Sequence, residues 1–272
     1  MDYLTLPYFS TIIGGIAHQV GLHNYKMQFT ITDNTDGDVA KNLSFKKNVK
    51  EKSLDGLIII DQLVPDEDIL WLKERGVPFV IVDRFIPQEK VNCVRVDNKK
   101  GTYLTTEHLI KQGHKRVAFV NENMKFNCII DMFEGYCKAL NEYGISIDKR
   151  LIADTRRGDI DSGVFTDLRN ILRIDLPPTA ILCSSDILAV KILRILKEMN
   201  IKVPQDIALA GYNDDTNSVY AEPQLTTVRV PLREMGEESA RVLFNLIDGM
   251  VSEGTEVVLE PTLIERQSTA SI

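Results

Sequence analysis

No stretch of this 272-residue sequence approaches the ~18 consecutive apolar residues that a membrane-spanning helix needs. The first ten residues lack the basic start and apolar run of a secretory signal. The four cysteines, Cys93, Cys128, Cys137 and Cys183, include no C-x-x-C pair. Neither a disulfide scaffold nor a zinc knuckle is expected, and they read as reduced residues in or near a core. The histidines (His18, His23, His108 and His114) are scattered, none at a spacing such as H-E-x-x-H, so no metal site is expected. No G-x-G-x-x-G fingerprint and no P-loop follows any apolar run, so a nucleotide phosphate finds no cradle. Positive charge is also short. The 32 basic residues face 39 acidic ones, a net charge of −7, which makes the chain by itself a poor partner for nucleic acid or an anionic membrane. What is plentiful is apolar residues, 44% of the chain against 26% charged, enough to fill a core and to exclude disorder as the main state.

Short aliphatic runs alternate with helical periods. Lys26 to Ile31, Gly56 to Ile60, Pro78 to Val82, Arg116 to Val120, Thr179 to Cys183 and Ile207 to Gly211 read as strands. Most are continuously apolar rather than alternating, the pattern of a parallel sheet covered on both faces. Helices are expected over Asp66–Arg75, Gly101–Gln112, around Ile129–Tyr143, from Ser184 and Ser185 (as N-cap hydroxyls) to Met199, and from Pro231 to a C-capping Gly249. Val257 to Ile264 reads as a late strand interrupted by Pro261. This predicts an α/β fold of two doubly wound parallel-sheet subdomains rather than one very wide sheet. Ligands of such sheets bind outside the carboxyl ends of the strands. Here those ends carry Asp83-Arg84, Asn121-Glu122, Ser184 to Asp186 and Tyr212 to Asp215.

Several motifs coincide in order and spacing. They are Leu6-Pro-Tyr-Phe9, Asp55-Gly-Leu-Ile58, Val96-Asp-Asn98, His108-Leu-Ile-Lys-Gln-Gly-His-Lys-Arg-Val117, Pro178 to Asp186, Val203-Pro-Gln-Asp-Ile207, Gly211-Tyr-Asn-Asp214, Pro223-Gln-Leu-Thr-Thr-Val228 and Leu263-Ile-Glu-Arg-Gln-Ser268. Together they resemble the effector-binding core of the lac/galactose repressor family over essentially the whole chain. The resemblance implies a periplasmic-binding-protein-like fold. A small effector (a sugar, sugar derivative or other metabolite) binds in the cleft between subdomains, and hinge closure couples it to DNA in a homodimer. It also implies a cytoplasmic location, DNA contact only through a headpiece absent from this sequence, no membrane partner, no cofactor and no catalytic residues. The family's headpiece and the first core strand would precede Met1, so the sequence is expected to be a piece of a longer regulator.

The crossovers between subdomains map near Gly113–Lys115, Arg229–Pro231 and Met250–Thr255. That gives an N-terminal subdomain of 1–113 plus 231–249 and a C-terminal one of 116–228 plus 256–272. The implied effector residues are Tyr8, Phe9, Asp131, Met132, Ile160, Ser185 and Asn213. Sugar-responsive members carry an arginine at the position of Met132, in Met132-Phe-Glu-Gly-Tyr136. They carry a stacking aromatic at Ile160 and an acid at Asn213. The lac repressor's glutamine aligns with Val230.

Each assignment has a plainer alternative. Tyr8 and Phe9 also read as a staple on the first helix, Ser185 and Asp186 as helix caps, and Asn213 as a turn residue. Asp83-Arg84 reads as a solvated rim pair, His114 as an organiser of the first crossover, and Trp71 as packing. Two other function classes compete. A periplasmic solute-binding protein shares the fold, but the missing signal segment and unpaired cysteines count against it. An enzyme finds no triad, metal cluster or phosphate loop, and adjacent Asp214 and Asp215 on a turn diverge rather than share a proton.

Overall fold

Thirteen strand residues in three runs, Phe79–Val82, Val117–Asn121 and Ala180–Cys183, are all buried, and they form the centres of two separate sheets. The computed structural model describes residues 6–29, 46, 49, 53–60, 64–121, 126–154, 160–251 and 254–269, apart from the side chains of 160–165. The chain divides into two compact units, 1–95 with 232–259 and 96–231 with 260–272.

In unit 1 the helix α1 (Pro7–Leu22) precedes β1 (Leu57–Ile59), α2 (Asp66–Glu74), β2 (Phe79–Val82) and β3 (Cys93–Val96). The sheet has the order β1-β2-β3-β9, where β9 is the late strand Glu256–Leu259. β1, β2 and β3 pair in parallel, which places their carboxyl ends on one edge. The core beneath is aliphatic: Ile69 and Leu72 of α2 pack with Phe79, Ile81 and Cys93. Each such side chain removed from water contributes ~1.5–3 kcal/mol. The helix after Pro231, Leu232–Ile247 (α8 in chain order), crosses α1 closely. A Cβ on Gly15 would stand 2.2 Å from the Arg233 carbonyl oxygen, and one on Gly236 would stand 2.1 Å from that of Ile12.

Unit 2 comprises α3 (Asn98–Lys111), β4 (Val117–Asn121), α4 (Asn127–Glu142), β5 (Ile152–Asp154), α5 (Ile160–Leu172), β6 (Ala180–Cys183), α6 (Asp186–Glu198), β7 (Ala208–Ala210), α7 (Thr216–Tyr220) and β8 (Thr227–Arg229). Its parallel sheet has the order β5-β4-β6-β7. The antiparallel pair β8–β10, with β10 at Thr262–Ile264, closes the unit. Tyr136 fixes α4 to this sheet: its hydroxyl donates to the Val117 carbonyl at 2.8 Å and its ring stacks on Phe119.

Three expectations need correction. The first boundary is not near Gly113 but between Arg95 and Val96, so α3 belongs to unit 2. The reason is contact with α4, where Gly135 lets the Lys99 carbonyl approach to 2.1 Å of where a Cβ would stand. The third boundary is not in Met250–Thr255 but between Leu259 and Glu260. The Thr255 carbonyl accepts from Cys93 N–H at 2.9 Å, which brings the incoming strand beside β3. Pro261 therefore separates two strands of different units instead of interrupting one. Finally, 26–29 of the anticipated strand Lys26–Ile31 is irregular, and Thr30 and Ile31 lie outside the described residues. A strand needs a ladder partner, and among the described residues 24–29 has none.

Candidate functional site

In unit 1, candidate residues meet at the carboxyl end of β2. Pro7 starts α1 at a position where its missing N–H costs nothing, and Tyr8 and Phe9 form an edge-to-face pair, ring centroids 5.1 Å apart. The Tyr8 hydroxyl donates to the Asp83 carboxylate at 2.9 Å. Asp83 directly follows β2 and holds a left-handed backbone, φ +53°. Such strain in a residue with a side chain gathers at functional positions. The solvated-rim reading of Asp83-Arg84 is therefore wrong. Arg84 is buried, donating to the Val64 carbonyl at 2.5 Å and to the Asp66 carboxylate. Sequence reasoning had not joined Asp83 to Tyr8, since no local pattern links residues 75 positions apart.

In unit 2, the carboxyl ends of β6 and β7 are tied together by Asp186. This residue opens α6, is fully buried, and accepts from Thr227 Oγ1 at 2.6 Å and from Asp215 N–H at 2.9 Å. Its own N–H donates to the Tyr212 carbonyl at 2.8 Å. Burial pushes its carboxyl up to about 8, overcoming the two hydrogen bonds that favour ionisation. Asp186 is thus held by the fold on every side. Ser185 caps α6, accepting from Leu188 N–H at 3.2 Å. Ser184 does not cap, contrary to expectation: its buried hydroxyl finds no partner among the described residues.

Asn213 stands in the loop after β7 with φ +104°, and Asp214 follows at +52°. Asn213 N–H donates to the Val228 carbonyl at 2.8 Å, leaving its side chain half-exposed. Burial alone would raise the Asp214 carboxyl, but hydrogen bonds from Arg266 and Arg229 outweigh it and hold it below the usual carboxylate range. Asp215 instead caps α7 through Asn217 N–H at 2.8 Å. The two adjacent carboxylates thus diverge. Ser185, Asp186 and Asn213 are brought to one edge of this sheet.

The remaining candidates are placed differently. Asp131 and Met132 lie in the first half of α4, Asp131 half-exposed and Met132 buried. Ile160 opens α5, and its side chain lies outside the described residues. Val230 is buried. His114 does not organise a crossover. Its ring pairs with Thr179 Oγ1 at 3.0 Å within unit 2, and burial lowers its pKa, with His108 adding to the effect. Trp71 is packed on α2 beneath Arg75, whose guanidinium lies 4.0 Å from the ring centroid. Among the described residues no group of His, Cys, Asp or Glu is arranged to hold a metal, and no helix is long and apolar enough to cross a membrane.

Comparison with known proteins points to one family and one fold. A family profile described as a periplasmic binding protein-like domain matches residues 106–269. The HTH-type transcriptional regulator RegA of Clostridium saccharobutylicum is 31% identical over 96% of this chain and 78% of its own length. A transcriptional regulator CelR–cellobiose complex is similar in structure, with TM-score 0.85 at 27% identity, covering 98% of this chain and 80% of that one. So is a transcriptional regulator from Enterococcus faecium with bound ribose, with TM-score 0.84 at 27% identity, covering 99% and 96%.

Proposed function

The chain belongs to the lac/galactose repressor family of transcriptional regulators, as the effector-binding portion and not an enzyme, and from that premise we propose how it senses its effector. The observation that carries the reading is the position of the candidate residues. Tyr8 and Asp83 stand at the carboxyl end of β2, and Ser185 and Asn213 at those of β6 and β7. These are the strand ends at which open parallel sheets bind ligands. The effector is a sugar, sugar derivative or other metabolite; of the two similar regulators, one is in complex with cellobiose and the other has bound ribose. Its contacts are Tyr8, Phe9, Asp131, Met132, Ile160, Ser185 and Asn213. DNA is reached through a headpiece outside these residues, and the regulator works in the cytoplasm. The relatives being regulators, the periplasmic solute-binding alternative is set aside.

The substitutions at Met132, Ile160 and Asn213 point to a less hydroxylated effector than a free monosaccharide. Each charge-assisted hydrogen bond given up costs ~1.5–3 kcal/mol, so two of them weaken sugar binding by roughly two to four decades. In a thermal-shift screen of ribose, cellobiose, sugar phosphates, nucleosides and purines, free pentoses and hexoses should give small shifts. A less hydroxylated compound should raise Tm, and Asn213→Ala should abolish that rise. Micromolar calorimetric binding of ribose, lost on Asn213→Ala, would overturn this preference.

The same reading includes a homodimer. α7 presents Tyr220, 82% exposed, next to exposed Val219 on a helix only five residues long. A lone aromatic this exposed beside another apolar residue suits a partner surface. Sedimentation of the wild-type chain at tens of micromolar should show a dimer, and Tyr220→Asp should weaken association by at least ~10-fold. A monomeric wild type, or a dimer indifferent to Tyr220→Asp, would refute the assignment.

A further inference from the structure

Asn213 and Asp214 occupy left-handed backbone in succession. For residues bearing side chains this region is sparsely populated, and it persists only where the surroundings over-determine it. Three backbone N–H groups hold the loop: Asn213 donates to the Val228 carbonyl at 2.8 Å, Asp214 to Thr227 Oγ1 at 3.3 Å, and Asp215 to Asp186 Oδ2 at 2.9 Å. The Asp214 carboxylate adds Arg229 Nε at 2.7 Å and Arg266 Nη2 at 2.6 Å.

The two arginines are not equivalent. Arg229 is 58% exposed, so its pairing is screened by water. Arg266 is 13% exposed, against an Asp214 side chain only 8% exposed. Its backbone N–H donates to Thr226 Oγ1 at 2.9 Å, which roots it on the segment entering β8. Its second terminal nitrogen, Nη1, donates to the Leu225 carbonyl at 2.9 Å and to Ser218 Oγ at 3.1 Å. Ser218 is fully buried and lies inside α7. One planar guanidinium thus grips the Asn213 loop with one nitrogen and α7 with the other, alongside a longer direct bond in which Ser218 Oγ donates to Asp214 Oδ1 at 3.2 Å. A lysine has no such fork.

We infer that Arg266 is a positioning residue: through Asp214 it holds Asn213 in its effector-contacting geometry, and through Ser218 it ties that geometry to α7 and the exposed Tyr220. The inference rests on the reading of Asn213 as an effector contact and Tyr220 as a partner contact. A change at the loop then reaches the α7 surface along hydrogen bonds within unit 2.

Amide hydrogen exchange on the full chain without ligand tests the clamp, whatever small molecule the chain binds. Arg266→Met should speed exchange of the Asn213 and Asp215 amides, and of Ser218 and Ala221, by ~10-fold or more. The β4 and β6 amides of the same unit should change less than ~3-fold. Arg266→Lys keeps one bond to Asp214, so it should return the Asn213 and Asp215 amides to within ~3-fold of wild type and leave the α7 amides fast. Ser218→Ala removes the Arg266 bond to α7 and Ser218's own 3.2 Å bond to Asp214. It should speed the α7 amides by ~10-fold and the Asn213 and Asp215 amides by less than ~3-fold, Arg266 still holding Asp214. Equal acceleration across unit 2, or an unchanged loop in Arg266→Met, would overturn the inference. Should Arg266→Met fail to fold, Arg266→Lys decides alone: slowing restored in both segments, or lost in both, contradicts a two-armed clamp. If the small-molecule screen finds no binder, the exchange result stands and only the link to an effector is lost.

Discussion

Gly135→Ala is expected to destabilise unit 2 by about 3 kcal/mol, lowering its melting midpoint by about 6–12 °C. The new Cβ would stand 2.1 Å from the Lys99 carbonyl oxygen, 2.9 Å from its carbon and 3.0 Å from Tyr103 N. These are backbone atoms of α3 and cannot rotate away, so the two helices must part. Gly236→Ala should act likewise on unit 1, because the Ile12 carbonyl lies 2.1 Å from its would-be Cβ. Gly14→Ala is the control. It lies on α1 with nothing within 4 Å of the added carbon. Alanine's higher helix propensity should there leave stability unchanged or raise it by up to ~1 kcal/mol. Thermal unfolding of the three variants measures all of this. A Gly135→Ala chain as stable as Gly14→Ala would mean that α3 and α4 do not cross as described.

Asp186→Ala should cost ~3 kcal/mol, because it leaves Thr227 Oγ1 and Asp215 N–H without their acceptor in a buried place. Asp186→Asn is more informative. In mildly acidic solution the folded Asp186 is the neutral acid, whose two oxygens face Thr227 Oγ1 and Asp215 N–H. The amide keeps one acceptor oxygen and sets an NH2 at the other, so a deficit of ~1–2 kcal/mol is expected there. That deficit should shrink with rising pH. Burial raises the Asp186 carboxyl to about 8 in the folded chain, above the usual carboxylate range. The native state therefore binds this proton more tightly than the unfolded one. The resulting stability is complete below the unfolded pKa, near 4, and disappears as pH climbs through 8. Asparagine carries no such proton, so its stability curve should be flatter between pH ~5 and ~8 than that of the wild type. Urea unfolding across that interval checks the sign. A deficit that stays constant across the interval would show Asp186 to be ionised in the native state throughout.

Strands such as Pro78–Val82 and Thr179–Cys183 were legible because uninterrupted aliphatic runs this short fit only a sheet covered on both faces. The membership of α3 was not. Strand–helix alternation says that a helix follows β3, but not which sheet it covers. That is decided by the fit of Gly135 against Lys99 and Tyr103, contacts from another helix. Pro261 was correctly read as a break, yet nothing local distinguishes a bend in one strand from a passage between two sheets. The cap at Ser185 was visible in a serine preceding an apolar helical period. The strain at Asp83 and its bond to Tyr8 were not, nor the grip of Arg266 on Asp214 from 52 residues away. Arg266 does sit in Leu263-Ile-Glu-Arg-Gln-Ser268, one of the motifs that carried the resemblance. The sequence thus marked the residue without revealing its task.

Trp71 is the single tryptophan of the chain, and it belongs to unit 1. It lies on α2 against the Phe79–Ile81–Cys93 core, with the Arg75 guanidinium over its ring. The protein therefore has an optical probe built into one of its halves. Indole emission, excited selectively over tyrosine, follows the environment of α2 in unit 1, whereas far-ultraviolet dichroism sums over both units. Comparing the two signals during denaturation separates the loss of one unit from the loss of the other without any label, and asks directly whether the chain unfolds as one cooperative system or two.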